Sequence, residues 1–231
     1  MKNILKRFSG QTTKTPKAII PKVDFSQMAG GGELNVRLLE PSFDDGNVSL
    51  FELFTISSLI RLKNPGVVFE IGTFNGRTTL NLAANSGPRT KIFTLDLPAK
   101  DLQNTGFPLD EIEKKYVNKP VSGSKFSGHP EAKKITQLYG DSARFDFSKF
   151  ENAMDFIFVD ASHAYEYVVS DSKAAVRMLR NGRGVILWHD YDRTDWWPGV
   201  TRALDELYKS SPQFSNLVHF TGTSLVGLIK D

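Results

Sequence analysis

Four short apolar runs, residues 67–71, 92–97, 156–159 and 185–188, are each nearly continuous in hydrophobicity rather than alternating. Continuous runs of this length predict strands covered on both faces, as in a parallel sheet flanked by helices. A weaker run covers 135–139. Helical spacing appears before and between them. Leu50, Leu53, Phe54, Leu59 and Ile60, with the small Ser57, predict a helix over 48–62, with Asn47 as its N-cap and Asn64-Pro65-Gly66 as a stop. Residues 78–84 and 165–179 read as two more helices, Val168, Ala175, Val176 and Leu179 sharing a face of the second. The chain closes with a helix over 200–208 and two strands, 214–220 and 224–229, joined by Thr221-Gly222-Thr223. Strand–helix repeats closed by a hairpin predict a doubly wound α/β fold. The sheet is Rossmann-like, mostly parallel with a C-terminal antiparallel hairpin, and has helices on both faces.

Residues 98–133 interrupt the rhythm. The stretch carries Pro108, Pro120, Gly123, Gly128 and Pro130 around a short helical piece at 111–117, and it reads as a lid or recognition insertion, mobile without ligand. Folded sequence is expected to begin near Asn47. The division is thus a basic N-terminal extension over 1–44 and a single domain over 45–231.

Composition narrows the class. The chain has 231 residues, 40% hydrophobic and 24% charged, the balance of an ordinary globular domain. No apolar run approaches the roughly 20 residues that span a bilayer. Without cysteine, disulfide frameworks, thiolate zinc sites and cysteine nucleophiles are excluded, and the cytoplasm is the default location. A net charge of +3 is too small to argue for nucleic acid. Lys2, Lys6, Arg7, Lys14, Lys17 and Lys22 open the chain with no acid among them. Ile4, Leu5 and Phe8 form an amphipathic turn suited to weak contact with an anionic membrane surface, set against a simple frayed terminus.

Open α/β sheets bind ligands beyond the carboxyl ends of their strands. Residues there are Glu70, Gly72, Thr73 and Gly76 after the first strand, Asp96 after the second, and Asp141 and Ser142 after the weaker run. Asp160 and His163 follow the next strand, and His189 and Asp190 the last. The glycine spacing is not the G-x-G-x-x-G that seats a pyrophosphate, which argues against a nicotinamide dinucleotide. Carboxylates at neighbouring strand ends, Glu70 and Asp96, suit a ligand with a cationic amine and a ribose diol, and would repel phosphate. Asp141 reads equally as an N-cap. His163 reads as a general base titrating near neutrality, or as a histidine bonded to backbone at a helix start. Trp188 reads as core. Trp196 and Trp197 either wall an acceptor pocket or pack on the sheet edge. His129 and His219 read as surface residues.

The run from Val68 to Thr79, with its Glu70-Ile71-Gly72-Thr73-Phe74-Asn75-Gly76 core, resembles the nucleotide loop of class I S-adenosylmethionine-dependent methyltransferases, in the form common among O-methyltransferases. Phe93-Thr94-Leu95-Asp96, Gly140-Asp141-Ser142, the 156–165 segment with Val159-Asp160-Ala161-Ser162-His163-Ala164-Tyr165, and Trp188-His189-Asp190-Tyr191 extend the likeness, the last two to a bacterial methyltransferase 24-like subgroup. The resemblance implies S-adenosylmethionine bound by Glu70, Gly72, Thr73, Gly76, Asp96, Asp141, Ser142 and Asp160. It implies methyl transfer to a small hydroxylated acceptor of sugar or natural-product type, with His163, Asp160 and His189 at the reacting end. Cation-dependent relatives place acids where Asp160 and Asp190 stand, implying a divalent metal such as magnesium. His189 beside Asp190 suits a softer ion. A non-catalytic or hydroxylase-like relative that keeps the cofactor is the alternative. No nucleic acid partner is expected, and a homo-oligomer is left open.

Overall fold

Phe69 and Ile71 face one side of their strand and Val68 and Glu70 the other, and every one of them is buried. That two-sided burial sets the architecture. In the computed structural model, which describes residues 18–28, 30 and 32–230, eight strands build one sheet. They are β1 (Lys22–Val23), β2 (Val67–Ile71), β3 (Lys91–Asp96), β4 (Ile135–Tyr139), β5 (Phe156–Val159), β6 (Gly184–Trp188), β7 (Leu217–Phe220) and β8 (Val226–Lys230). Their spatial order is β1-β7-β8-β6-β5-β2-β3-β4. All neighbours run parallel except the pairs that β8 makes with β6 and β7. The helices are α1 (Phe25–Met28), α2 (Leu50–Lys63), α3 (Arg77–Asn85), α4 (Glu111–Val117), α5 (Tyr165–Met178) and α6 (Pro198–Ser210).

Two apolar layers follow from the alternation within each strand. On one side Phe69, Ile71, Ile157, Val159, Ile186 and Trp188 pack with α5 and α6. On the other, Val68, Ile92, Phe156, Phe158 and Leu187 pack with α2 and α3. Trp188 is core, its indole N–H donating to Ser172 Oγ at 2.9 Å. From β2 the chain adds β3 and β4 outward on one side, then β5 and β6 on the other. The switch lies between β2 and β5, where such folds open a crevice.

Folded structure begins well before Asn47. The three side chains Arg77, Asn81 and Asn85 recur every four residues along α3 and pin the preceding segment. Arg77 donates to the carbonyls of Glu40 and Val48 at 2.6 and 2.7 Å. Asn81 pairs with the backbone of Leu39, and Asn85 with that of Arg37. Farther back, the amides of Ile19 and Ile20 donate to the Tyr191 hydroxyl, each at 3.0 Å. The turn at Ile4, Leu5 and Phe8 lies outside the described residues; Lys22 is in β1. The cap of α2 is Ser49 rather than Asn47, because Ser49 and Glu52 close a reciprocal capping box. The first strand of the closing hairpin is shorter than expected, since Pro212–Phe214 forms a helical turn. His219 is buried, not a surface residue, its Nε2 lying 2.7 Å from the Thr223 carbonyl oxygen under the hairpin turn. Among the described residues no helix is long and apolar enough to cross a membrane.

Candidate active site

The backbone leaves β2 through Gly72, at φ 100°, where a β-carbon would lie 1.9 Å from the Asp160 carbonyl oxygen. Only glycine lets the two strand ends approach so closely. Beside this close approach a cavity lies over the ends of β2, β3, β4 and β5. Gly72, Asp96, Asp141, Ser142, Asp160 and His163 line it, with Glu113, Tyr116 and Lys119 from the β3–β4 insertion.

Three residues expected at this cofactor site do not line the cavity. Glu70 is fully buried beneath the loop, accepting hydroxyl hydrogen bonds from Thr79 and Thr94. Thr73 extends that chain, its hydroxyl 2.6 Å from that of Thr94 and 3.0 Å from the Gln137 amide nitrogen. Burial pushes the Glu70 carboxyl up to about 8, so it is held neutral at pH 7. Gly76, the N-cap of α3, is covered by the Phe126 ring. Asp141 lines the cavity but spends its oxygens internally, on the amides of Gly106 and Ala143 and the Tyr167 hydroxyl. Residues 142–144 form a turn and no helix follows it directly, so Asp141 braces that turn and the β3–β4 insertion and is not a helix N-cap.

A second cavity opens beside the first. Its walls are Phe43, Asn47, Ser49 and Glu52 on one side and His189, Asp190, Arg193 and Trp197 on the other. The two cavities share Phe74, Tyr116, Asp160, Ala161 and His163.

At their junction the two histidines sit among four carboxylates. Asp190 Oδ2 is 2.9 Å from His163 Nε2 and 3.0 Å from His189 Nδ1. Asp160 Oδ1 is 3.0 Å from the same His189 Nδ1. Asp190 has φ 63°, a left-handed turn directly after β6 that carries both polar side chains inward. Trp197 stacks on the His163 ring, centroids 3.8 Å apart. Gly199 permits this, since a β-carbon there would stand 2.3 Å from the His163 carbonyl oxygen.

Two carboxylates of this cluster escaped the sequence reading. Glu113 of α4 accepts from the Ser162 hydroxyl at 2.8 Å and from the His163 amide, and its Oε1 is 3.2 Å from His163 Nδ1. Glu52 of α2 is 3.4 Å from His189 Nε2 and accepts from Ser224. Each is the fourth residue of a capping box, Ser49-x-x-Glu52 and Asp110-x-x-Glu113. The sequence signal was therefore a helix start, and one carboxylate serves the cap and the histidine together.

The electrostatics follow. Burial alone would lower the His163 pKa, but hydrogen bonds to Asp190 and Glu113 outweigh it and push the imidazole up to about 9. His189 is raised well above the ordinary histidine value against the same burial, by Asp190 and Asp160. Asp190, Glu113 and Glu52 are all held low, the histidines overcoming the effect of burial. Both rings are thereby drawn toward their protonated form.

Ligand atoms of Asp160, His189 and Asp190 lie within 4.8 Å of one another. Two carboxylate oxygens and one imidazole nitrogen fit a divalent ion that tolerates nitrogen, better than they fit magnesium, which prefers an all-oxygen shell. Such an ion would compete with a proton for the His189 nitrogen that lies between the two acids.

The fold and this strand-end site define a class I methyltransferase architecture. The chain belongs to the family described as "Methyltransferase domain", whose model matches residues 69–191. It is 29% identical over 160 residues to the flavonoid 3',5'-methyltransferase of Vitis vinifera, an alignment covering 69% of this chain and 60% of that protein. Among solved structures it is similar to the SAH-bound methyltransferase PaMTH1 of Podospora anserina (TM-score 0.55, 17% identity, 81% of each chain). It is similar as well to the O-methyltransferase TomG of Streptomyces achromogenes in complex with SAM (TM-score 0.53, 16% identity, 84% of this chain and 93% of that one). An O-methyltransferase of Bacillus cereus in complex with SAH gives TM-score 0.51 at 16% identity, covering 89% of each chain. At these identities the structures establish a shared fold.

Proposed function

We propose that this protein transfers the methyl group of S-adenosylmethionine to a hydroxyl oxygen of a small acceptor, of sugar or natural-product type. The observation that carries this reading is the shared wall of the two cavities. A donor in the first and an acceptor in the second meet at Asp160 and His163. The names of the Vitis vinifera, Streptomyces achromogenes and Bacillus cereus relatives support O-methylation over other transfers.

The acceptor oxygen attacks the methyl carbon in line, a C–O bond forms as the C–S bond breaks, and S-adenosylhomocysteine leaves as a neutral thioether. The chain's contribution is positioning and proton removal. Asp96 takes the ribose hydroxyls, Ser142 and the Gly140–Asp141 backbone lie along the adenine, and Gly72 with Asp160 faces the methionine end. His163 receives the hydroxyl proton at a nitrogen that has first released its own proton to solvent and turned from its carboxylate partner; the arriving sulfonium, a cation placed nearby, favours that release. Trp197 holds the ring from one face, and Asp190 and Glu113 fix its two nitrogens. Asp160, His189 and Asp190 would hold a divalent ion, which when bound lowers the pKa of the acceptor hydroxyl. Phe43, Phe74, Tyr116 and Trp197 give the acceptor apolar walls above a polar floor. On this reading the chain from residue 18 onward, with β1 in the sheet and Phe43 on the acceptor wall, acts as one catalytic domain with the 98–133 insertion covering its site, working in the cytoplasm.

Titration calorimetry with S-adenosylmethionine and with NAD tests the donor. Binding of the first and none of the second is expected; NAD binding alone would overturn the proposal. A methyl-transfer screen over hydroxylated sugars and small phenols then tests the acceptor class.

A further inference from the structure

Asp96 already has partners. Lys119 Nζ lies 2.7 Å from its Oδ2, and the Ser122 hydroxyl donates to the same oxygen. The Lys119 and Asp96 side chains are only 10% and 8% exposed. A carboxylate oxygen offers about two lone-pair directions, so Oδ2 is filled. Among the described residues Oδ1 accepts only from the Phe74 amide, at 3.4 Å. An ammonium and a hydroxyl from the chain thus present to this acid the pair of donors that a ribose diol would bring.

The segment carrying them is fastened on both sides. Gly123 and Lys125 donate their amides to the carbonyls of Phe74 and Asn75 at 3.0 and 2.8 Å, and Phe126 packs over Gly76. Lys125 also pairs with Glu40 at 2.9 Å. Ahead of Lys119, α4 sets Glu113 against Ser162 and His163 at the acceptor side. One strap, residues 110–126, therefore touches the donor acid, the nucleotide loop and the reacting histidine.

We propose that Lys119 and Ser122 are an internal stand-in for the donor's ribose, so that donor binding displaces them from Asp96 and loosens the strap. This rests on the S-adenosylmethionine reading of the first cavity. Because Oδ2 cannot serve both sets of donors, the donor binds only the fraction of molecules in which the strap has let go, and its apparent affinity is reduced by that fraction. Release at Asp96 also frees the helix that holds Glu113 on His163, which places donor binding before acceptor binding.

The test is calorimetry of the full chain with S-adenosylhomocysteine, together with amide exchange of the wild type. Lys119→Met, which keeps the buried stem, and Ser122→Ala are expected to tighten binding about three- to ten-fold each, since each removes a competitor. In the wild type, the Gly123 and Lys125 amides are expected to exchange faster when S-adenosylhomocysteine is bound. With wild-type binding intact, weaker binding by Lys119→Met would make Lys119 part of the donor site, unchanged binding would show that it competes with nothing, and either result would overturn the stand-in. Unchanged or slower exchange at those two amides would overturn it too, even if a variant failed to fold. No binding by any form would overturn the donor reading itself, and the stand-in with it.

Discussion

Asp190 Oδ2 stands 2.9 Å from His163 Nε2, and the opposite nitrogen of that ring faces Glu113. An imidazole held at both nitrogens by carboxylates is fixed in orientation and kept protonated well above neutrality. As a base it must first lose that proton.

A pH–rate profile reads this directly. With His163 raised to about 9 in the free protein, kcat/KM is expected to climb with pH through neutrality toward that value. Glu113→Gln removes one negative charge beside the ring, so the rising limb should move to lower pH. A limb that stays in place in Glu113→Gln would show that another group supplies the base.

His163→Ala is expected to lower turnover by about a hundred-fold or more while leaving S-adenosylhomocysteine affinity nearly unchanged. Steady-state kinetics beside calorimetry separates the two effects. A variant that loses affinity to the same degree would place His163 in donor binding.

Chelation discriminates metal assistance from a histidine base. If Asp160, His189 and Asp190 hold a divalent ion in the working enzyme, chelator treatment should abolish turnover and Asp160→Ala or Asp190→Ala should do the same. Manganese or iron(II) should restore the chelated wild type better than magnesium, given the imidazole in the set. Chelator-resistant turnover that still requires His163 would assign the chemistry to the imidazole alone.

Glu70 makes a prediction about stability. Its folded-state pKa of about 8 lies above the ordinary carboxyl value, so between roughly pH 4.5 and 8 the folded chain keeps a proton that the unfolded chain has released. Stability therefore falls as pH rises across that window. His163, raised to about 9, adds stability that is complete below its unfolded value near 6.5 and is lost as pH climbs through 9. Glu70→Gln should flatten the first part of the decline in a series of melting curves, since the amide stays neutral. An unchanged slope would mean that Glu70 ionises in place.

Arg77 tests the N-terminal segment. It is buried and donates to the carbonyls of Glu40 and Val48. Arg77→Ala leaves those acceptors unsatisfied and should cost about 2–4 kcal/mol, read from denaturant midpoints. Lys125→Ala, whose ion pair with Glu40 is partly exposed, should cost less than about 1 kcal/mol.

What the sequence determined by itself was the class of fold and the place of the site. Runs such as Phe156–Val159 must be covered on both faces, and acids after such runs must gather at one edge of a parallel sheet. Asp96, Asp160, His163 and Asp190 were legible for that reason. Tertiary structure alone decided how the charges pair. Glu52 and Glu113 are far from the histidines along the chain, and a capping box announces only a helix start. Lys119 belongs to an insertion with no periodicity to read. Arg77, Asn81 and Asn85 repeat like an exposed polar face, and only the segment laid across them makes them interior. Glu70 read as a ligand because it stands at a strand end, whereas the alternation of β2 turns it under the loop, where Thr79 of α3 and Thr94 of β3 bond its carboxylate. Local spacing dictates which element a residue joins; which partner reaches a charge first depends on how separate elements close over it.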